Sequence, residues 1–188
     1  MKLSPKFEEA LVYAARVHGG QLRKKTNIPY IGHLLGVTAI VLEYGANETE
    51  AIAALLHDVV EDCGGPERQC EIEEKFGKEV GEIVAGCTDT DQTPKPPWRE
   101  RKETYIAHLK SASASTRLVS ASDKLHNARA ILHNLREGGD EIWTHFKGGK
   151  EGTLWYYRSL VTAFRKHGAS ALIDELERVV SEMERIAL

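Results

Sequence analysis

Four ionisable side chains, His57, Asp58, Glu61 and Asp62, interrupt the otherwise apolar run Ala51-Ile52-Ala53-Ala54-Leu55-Leu56-His57-Asp58-Val59-Val60-Glu61-Asp62. The apolar residues fit a helix packed into a core, where polar and charged groups are costly unless something pairs with them. A fold that accepts this segment must therefore bring partners to it from elsewhere in the chain. A divalent metal ion is one such partner.

The rest of the sequence repeats the helical pattern. Ser4-Pro5 reads as an N-cap followed by proline at the first helical position. Phe7, Ala10, Leu11, Ala14 and Val17 then recur at helical spacing toward a Gly19-Gly20 stop. A basic loop, Arg23 to Asn27, leads through Pro29 into a second helix carrying His33, Val37, Ile40, Val41 and Tyr44, ended by Gly45. The third, Glu48 to Asp62, carries the His-Asp pair and stops before Cys63-Gly64-Gly65-Pro66. A short helix before Gly77 and another from Lys78 to Cys87 follow. Three prolines rule out helix or central strand over Asp89 to Pro97, which reads as a long loop and a candidate border for a site. Helices are then expected from Trp98 to Lys110, Ser115 to Arg136, Asp140 to Phe146, Thr153 to His167 and Ser170 to Ile186. Neither an alternating strand pattern nor a fixed-period repeat is present, so the reading is all-α, with residues 1–188 forming one domain.

Composition narrows the partners. The chain carries 25 Lys+Arg against 28 Asp+Glu, a net charge of -3, so no positive excess points to nucleic acid or to a membrane surface. The longest apolar run falls well short of the ~20 residues that span a bilayer, and nothing resembling a leader precedes the first helix. The three cysteines, Cys63, Cys70 and Cys87, form no C-x-x-C pair. Their odd number suits a reducing compartment, and a cytoplasmic protein is expected.

His57 and Asp58 are chain neighbours whose side chains diverge by roughly 100° on a helix, yet both can reach one ion beside it. His33 and Asp123 lie in apolar helical stretches where an unpaired imidazole or carboxylate would be penalised, which makes them candidates to close the shell. Two imidazoles and two carboxylates suit Mn²⁺ and also admit Fe²⁺, Zn²⁺ or Mg²⁺. Taken singly, each position also fits a satisfied polar residue of the core. Glu61 and Asp62 stand at i+4 from His57 and Asp58, facing the same side, where carboxylates can orient a water or accept its proton. A solvated helix end is the alternative reading, although acidic residues there oppose the helix dipole.

The ordered set His33, His57-Asp58, Asp123 resembles the HD superfamily of metal-dependent phosphohydrolases. The segments Ala14 to Lys24, Pro29 to His33, Ala53 to Asp62 and Ser122 to Arg129 span about the first two thirds of the chain and are similar to the hydrolase domain of RelA/SpoT proteins. The chain resembles stand-alone small alarmone hydrolases, the group that includes the metazoan SpoT homolog. The resemblance implies a single-domain helical HD fold and Mn²⁺-dependent removal of the 3′-pyrophosphate of ppGpp or pppGpp, giving GDP or GTP and pyrophosphate. It also implies metal ligation by His33, His57, Asp58 and Asp123, and service to the nucleophilic water by Glu61 and Asp62. Arg23 matches an arginine that packs on the purine, Lys24 lies at the phosphate end, and Asn127 matches a nucleotide contact.

The chain departs from the family pattern at the nucleotide end. Lys25-Thr26-Asn27-Ile28 lengthens the loop by one residue, Leu34 follows His33 where proline is usual, and Ala130 stands where a threonine is common. Adenine alarmones, another nucleotide phosphate, or an inactive nucleotide-binding sensor are the alternatives. Lys95, Arg99, Arg101 and Lys102 are either contacts for a 5′-diphosphate or ordinary surface charges, and Trp155-Tyr156-Tyr157 reads as core packing. No other histidine is assigned to catalysis.

Overall fold

The computed structural model describes residues 2–90, 92 and 94–188. Among the described residues there are ten α-helices and no strands: α1 (Pro5–Val17), α2 (Ile31–Glu43), α3 (Glu48–Leu56), α4 (Val59–Cys63), α5 (Gly65–Phe76), α6 (Lys78–Cys87), α7 (Trp98–His108), α8 (Ala114–Gly138), α9 (Gly149–Arg165) and α10 (Ala171–Ile186). The all-α expectation holds. An isolated antiparallel bridge, Leu22 to Pro29, closes the basic loop.

Local sequence sets the helix starts. Ser4 caps α1 by accepting the Lys6 N–H at 3.2 Å, with Pro5 in the first turn. A reciprocal pair begins α3: Asn47 accepts from the Glu50 N–H at 3.0 Å while Glu50 accepts from the Asn47 N–H at 2.8 Å. Gly45 and Gly77 take φ of +85° and +92° between helices, a region that β-carbon-bearing residues avoid.

By packing, the chain divides into two compact units, residues 1–95 with 113–122 and residues 96–112 with 123–188. In the first, α3 packs against α1, α2 and α6. Its core gathers Ala10 and Ala14 of α1, Leu34, Val37 and Val41 of α2, Ile52, Leu55 and Leu56 of α3 and Val84 of α6, all buried. Burying a leucine such as Leu55 or Leu56 completely contributes roughly 1.5–3 kcal/mol, so α3 is held as the central helix of this unit. In the second, α9 packs on α10 and α7. Arg158 pairs with Glu184, Arg165 with Glu177 and Arg136 with Glu182 along the α10 surface.

Two expected helices differ in kind, and the helix expected from Thr153 begins four residues earlier, at Gly149. The run from Glu48 to Asp62 is not one helix but α3 and α4, broken at His57-Asp58. The Ala54 carbonyl, which would accept the Asp58 N–H in an unbroken helix, is 2.8 Å from His57 Nδ1, so the imidazole competes with the backbone ladder. Asp140 to Phe146, expected as an α-helix, is a 3₁₀ turn over Gly139–His145. Asp140 Oδ1 accepts the Trp143 indole N–H at 3.0 Å and the Glu141 carbonyl accepts the Thr144 hydroxyl at 2.8 Å; both contacts span three residues and suit the tighter winding. Of the expected Asp89–Pro97 loop, Asp91 and Thr93 lie outside the described residues.

Candidate active site

The break in the helix is where the site is built. With Nδ1 donating to Ala54, the His57 ring turns Nε2 toward Asp58 Oδ2, 3.1 Å away. The Ala54 carbonyl thus fixes the ring's tautomer and leaves Nε2 as the acceptor nitrogen. His33, in the first turn of α2, places its Nε2 3.4 Å from the same oxygen. The two rings meet edge to face at 5.2 Å, and both are only 2% exposed. One donor atom from each of His33, His57 and Asp58 lies within 4.8 Å of the others. Two imidazole nitrogens and a carboxylate oxygen converging in a buried position are a donor set that fits a divalent transition metal.

Glu61 and Asp62 follow on α4, and each has a separate partner. Lys95 donates to Glu61 Oε1 at 2.8 Å, and the Asp89 N–H reaches Glu61 Oε2 at 3.4 Å. Asp89 and Lys95 thus both meet Glu61. Gln21 donates from Nε2 to Asp62 Oδ2 at 2.9 Å. Tyr30 donates its phenol to Asp58 Oδ2 at 2.6 Å. Burial, followed by the Asp62 charge, pushes the neighbouring Cys63 thiol up to about 11, so this cysteine stays protonated near neutral pH.

Arg23 and Lys24 sit on a tight turn. The Arg23 N–H donates to the Ile28 carbonyl at 2.9 Å, and the Arg23 carbonyl accepts both the Thr26 N–H and the Thr26 hydroxyl at 3.0 Å. Lys25 takes φ of +62°, the left-handed turn position, so the extra loop residue is absorbed as a turn. Thr26 is a staple of that turn, since its hydroxyl also accepts the Ile28 N–H at 3.2 Å.

Asp123 and Asn127 belong to the second unit. Asn127 Nδ2 donates to Asp123 Oδ1 and Lys124 Nζ to Asp123 Oδ2, each at 2.5 Å. Burial opposes the Lys124 charge, but Asp123, with Tyr105 and Tyr156, outweighs it and holds the ammonium well above the ordinary lysine range. Lys124 thus compensates Asp123 and Asn127 orients it, roles that residue spacing alone did not separate. Among the other basic residues, Arg99 donates to Glu103 and stacks over Trp155, Arg101 donates to the Pro96 carbonyl, and Lys102 lies 4.8 Å over the Tyr156 ring. Tyr156 and Tyr157 are buried, as packing residues should be.

Residue spacing does not identify Tyr30, Gln21 and Lys95 as partners of the acidic groups. Tyr30 and Gln21 reach them across 28 and 41 residues of chain. Their presence in the segments flanking Arg23 and His33 was the available signal.

The HD domain family model matches residues 10–154, a stretch that draws on both units. A guanosine-3′,5′-bis(diphosphate) 3′-pyrophosphohydrolase, MESH1 of Xenopus tropicalis, is 40% identical over 114 residues, covering 59% of this chain and 61% of that protein. A GTP pyrophosphokinase of Myxococcus xanthus is 43% identical over 82 residues, 44% of this chain and 10% of that protein. The matched stretches span less than two thirds of these relatives. A solved structure, described as a metazoan ortholog of SpoT that hydrolyses ppGpp and plays a role in starvation responses, superposes with a TM-score of 0.80. It is 29% identical and covers 100% of this chain and 99% of its own.

Proposed function

This chain belongs to the HD domain family, and from that premise we propose that it is a metal-dependent phosphohydrolase that removes the 3′-pyrophosphate of ppGpp or pppGpp. The observation that carries this reading is the convergence of His33, His57 and Asp58 beside Glu61 and Asp62. The relatives whose printed names state the same hydrolysis support it.

His33, His57 and Asp58 would hold the ion, with Asp123 as the fourth ligand; Mn²⁺ is the metal the family resemblance implies, and two imidazoles with two carboxylates suit it while also admitting Fe²⁺, Zn²⁺ or Mg²⁺. When bound, the ion supplies positive charge that acidifies water and polarises a phosphate oxygen. Asp62 and Glu61 orient the attacking water and take its proton. The water oxygen bonds to the proximal phosphorus of the 3′-diphosphate, the bond from that phosphorus to O3′ breaks, and O3′ gains a proton. The products are GDP or GTP and pyrophosphate.

Arg23 stacks its guanidinium on the purine and Lys24 offers a point charge to phosphate. Asn127, whose Nδ2 donates to Asp123, contacts the nucleotide. Among the described residues no helix is long and apolar enough to cross a membrane, and all three cysteines are free thiols. We place the reaction in the reducing cytoplasm on that second ground.

The test is pyrophosphate release from ppGpp and ppApp with Mn²⁺ present. Release from ppGpp supports the reading; no release from either nucleotide, by a protein shown to carry the ion, removes it.

A further inference from the structure

His18 is a buried imidazole that the proposed reaction does not use, 3% exposed at the end of α1. Its Nδ1 lies 2.7 Å from Gln21 Oε1. The opposite atom of the same amide, Nε2, donates to Asp62 Oδ2 at 2.9 Å. These two contacts fix the proton positions along the chain. An ionised carboxylate only accepts, so the amide must present its NH₂ to Asp62 and its oxygen to His18. His18 must then donate from Nδ1. The Cys63 sulfur, 3.5 Å from Nδ1, is a neutral thiol and adds no competing charge.

The same ring touches the other carboxylate indirectly. It stacks on Tyr30 with centroids 5.2 Å apart and planes 19° from parallel, and Tyr30 donates to Asp58. His18 thus stands behind both acidic groups without touching either.

We propose that His18 is a positioning residue: through the Gln21 amide it sets the rotamer of Asp62. The proposal rests on the hydrolase reading for its catalytic consequence, but the relay itself is a property of the protein without substrate. Gln21 is half-buried and Asp62 exposed, so water competes for both. A donor locked in place by a buried ring keeps the carboxylate in one orientation where solvent would let it turn.

Three variants separate the parts. His18→Phe keeps a flat ring on Tyr30 and loses the donor, Gln21→Met keeps the reach and loses both hydrogen bonds, and His18→Asn restores an N–H close to the Nδ1 position. His18→Phe and Gln21→Met should lower kcat for ppGpp by about 10-fold, the low end for loss of an orienting partner. KM and the Mn²⁺ Kd should stay near the parent values, and His18→Asn should recover most of the loss. Should His18→Phe fail to fold, Gln21→Met carries the test from its half-buried loop position.

The second readout is the ¹⁵N signature of the His18 ring without substrate: Nδ1–H in the parent, and a mixture of tautomers in Gln21→Met. An Nε2–H ring in the parent, an unchanged kcat in Gln21→Met, or an asparagine variant no better than phenylalanine would overturn the proposal. Because the tautomer is read without turnover, a protein inactive on ppGpp would sink the reaction while the ring signature still decided whether the relay exists.

Discussion

The phenol of Tyr30 donates to Asp58 Oδ2 at 2.6 Å, the oxygen that also lies 3.1 Å from His57 Nε2 and 3.4 Å from His33 Nε2. One carboxylate oxygen therefore faces two imidazoles and one hydroxyl, and the hydroxyl is the neighbour that can only orient it. Outer-shell donors of this kind tune metal affinity by about 10–100-fold when removed. Tyr30→Phe should weaken Mn²⁺ binding by about 10-fold in titration calorimetry, whereas Asp58→Ala and Asp123→Ala should lose the ion altogether in elemental analysis. Unchanged stoichiometry in both alanine variants would remove the proposed ligand set.

Glu61 and Asp62 are engaged by Lys95 and Gln21 respectively, so each carboxylate is already aimed. The double variant Glu61→Gln, Asp62→Asn keeps similar shapes and loses the proton acceptors. Turnover should fall by a factor on the order of 10²–10⁴, with metal and nucleotide affinity largely kept. Near-normal turnover would mean that the pair is only a solvated helix end.

Arg23 leaves a turn whose backbone is pinned by Ile28 and Thr26, which fixes where its side chain begins. Stacking of a guanidinium on a purine does not distinguish guanine from adenine. Arg23→Ala should therefore impair hydrolysis of ppGpp and ppApp alike in steady-state kinetics, and impairment on one alone would show that Arg23 reads the base edge.

The Cys63 thiol is pushed up to about 11 by burial, then by the negative charge of Asp62, with Asp58 adding to it and Arg68 opposing. Both main causes disfavour the thiolate, which is the reactive form, so the reactive fraction appears only as pH rises toward that value. At pH 8, iodoacetamide should label the exposed Cys70 well before Cys63, and Cys63 labelling should accelerate steeply from about pH 10 upward. Peptide mass spectrometry after timed quenching reads both sites, and equal rates at pH 8 would contradict the assigned burial.

The sequence by itself determined most of the helices, because helical periodicity, capping and breakers are local. Ser4-Pro5, Asn47 with Glu50, Gly45 and Gly77 each act within a few residues, and the helix ends follow them closely. It also marked His33 and His57-Asp58, since imidazoles and carboxylates within apolar helical runs need partners wherever the chain goes.

Only the tertiary structure decided what those partners are. That His57 splits its helix follows from its ring reaching the Ala54 carbonyl, a choice of rotamer that spacing does not encode. Tyr30 on Asp58, Gln21 on Asp62 and Lys95 on Glu61 join groups 28, 41 and 34 residues apart. Such contacts are set by how α1, α2, α3, α4 and α6 are brought together, and packing depends on the whole set of buried side chains rather than on any segment read alone.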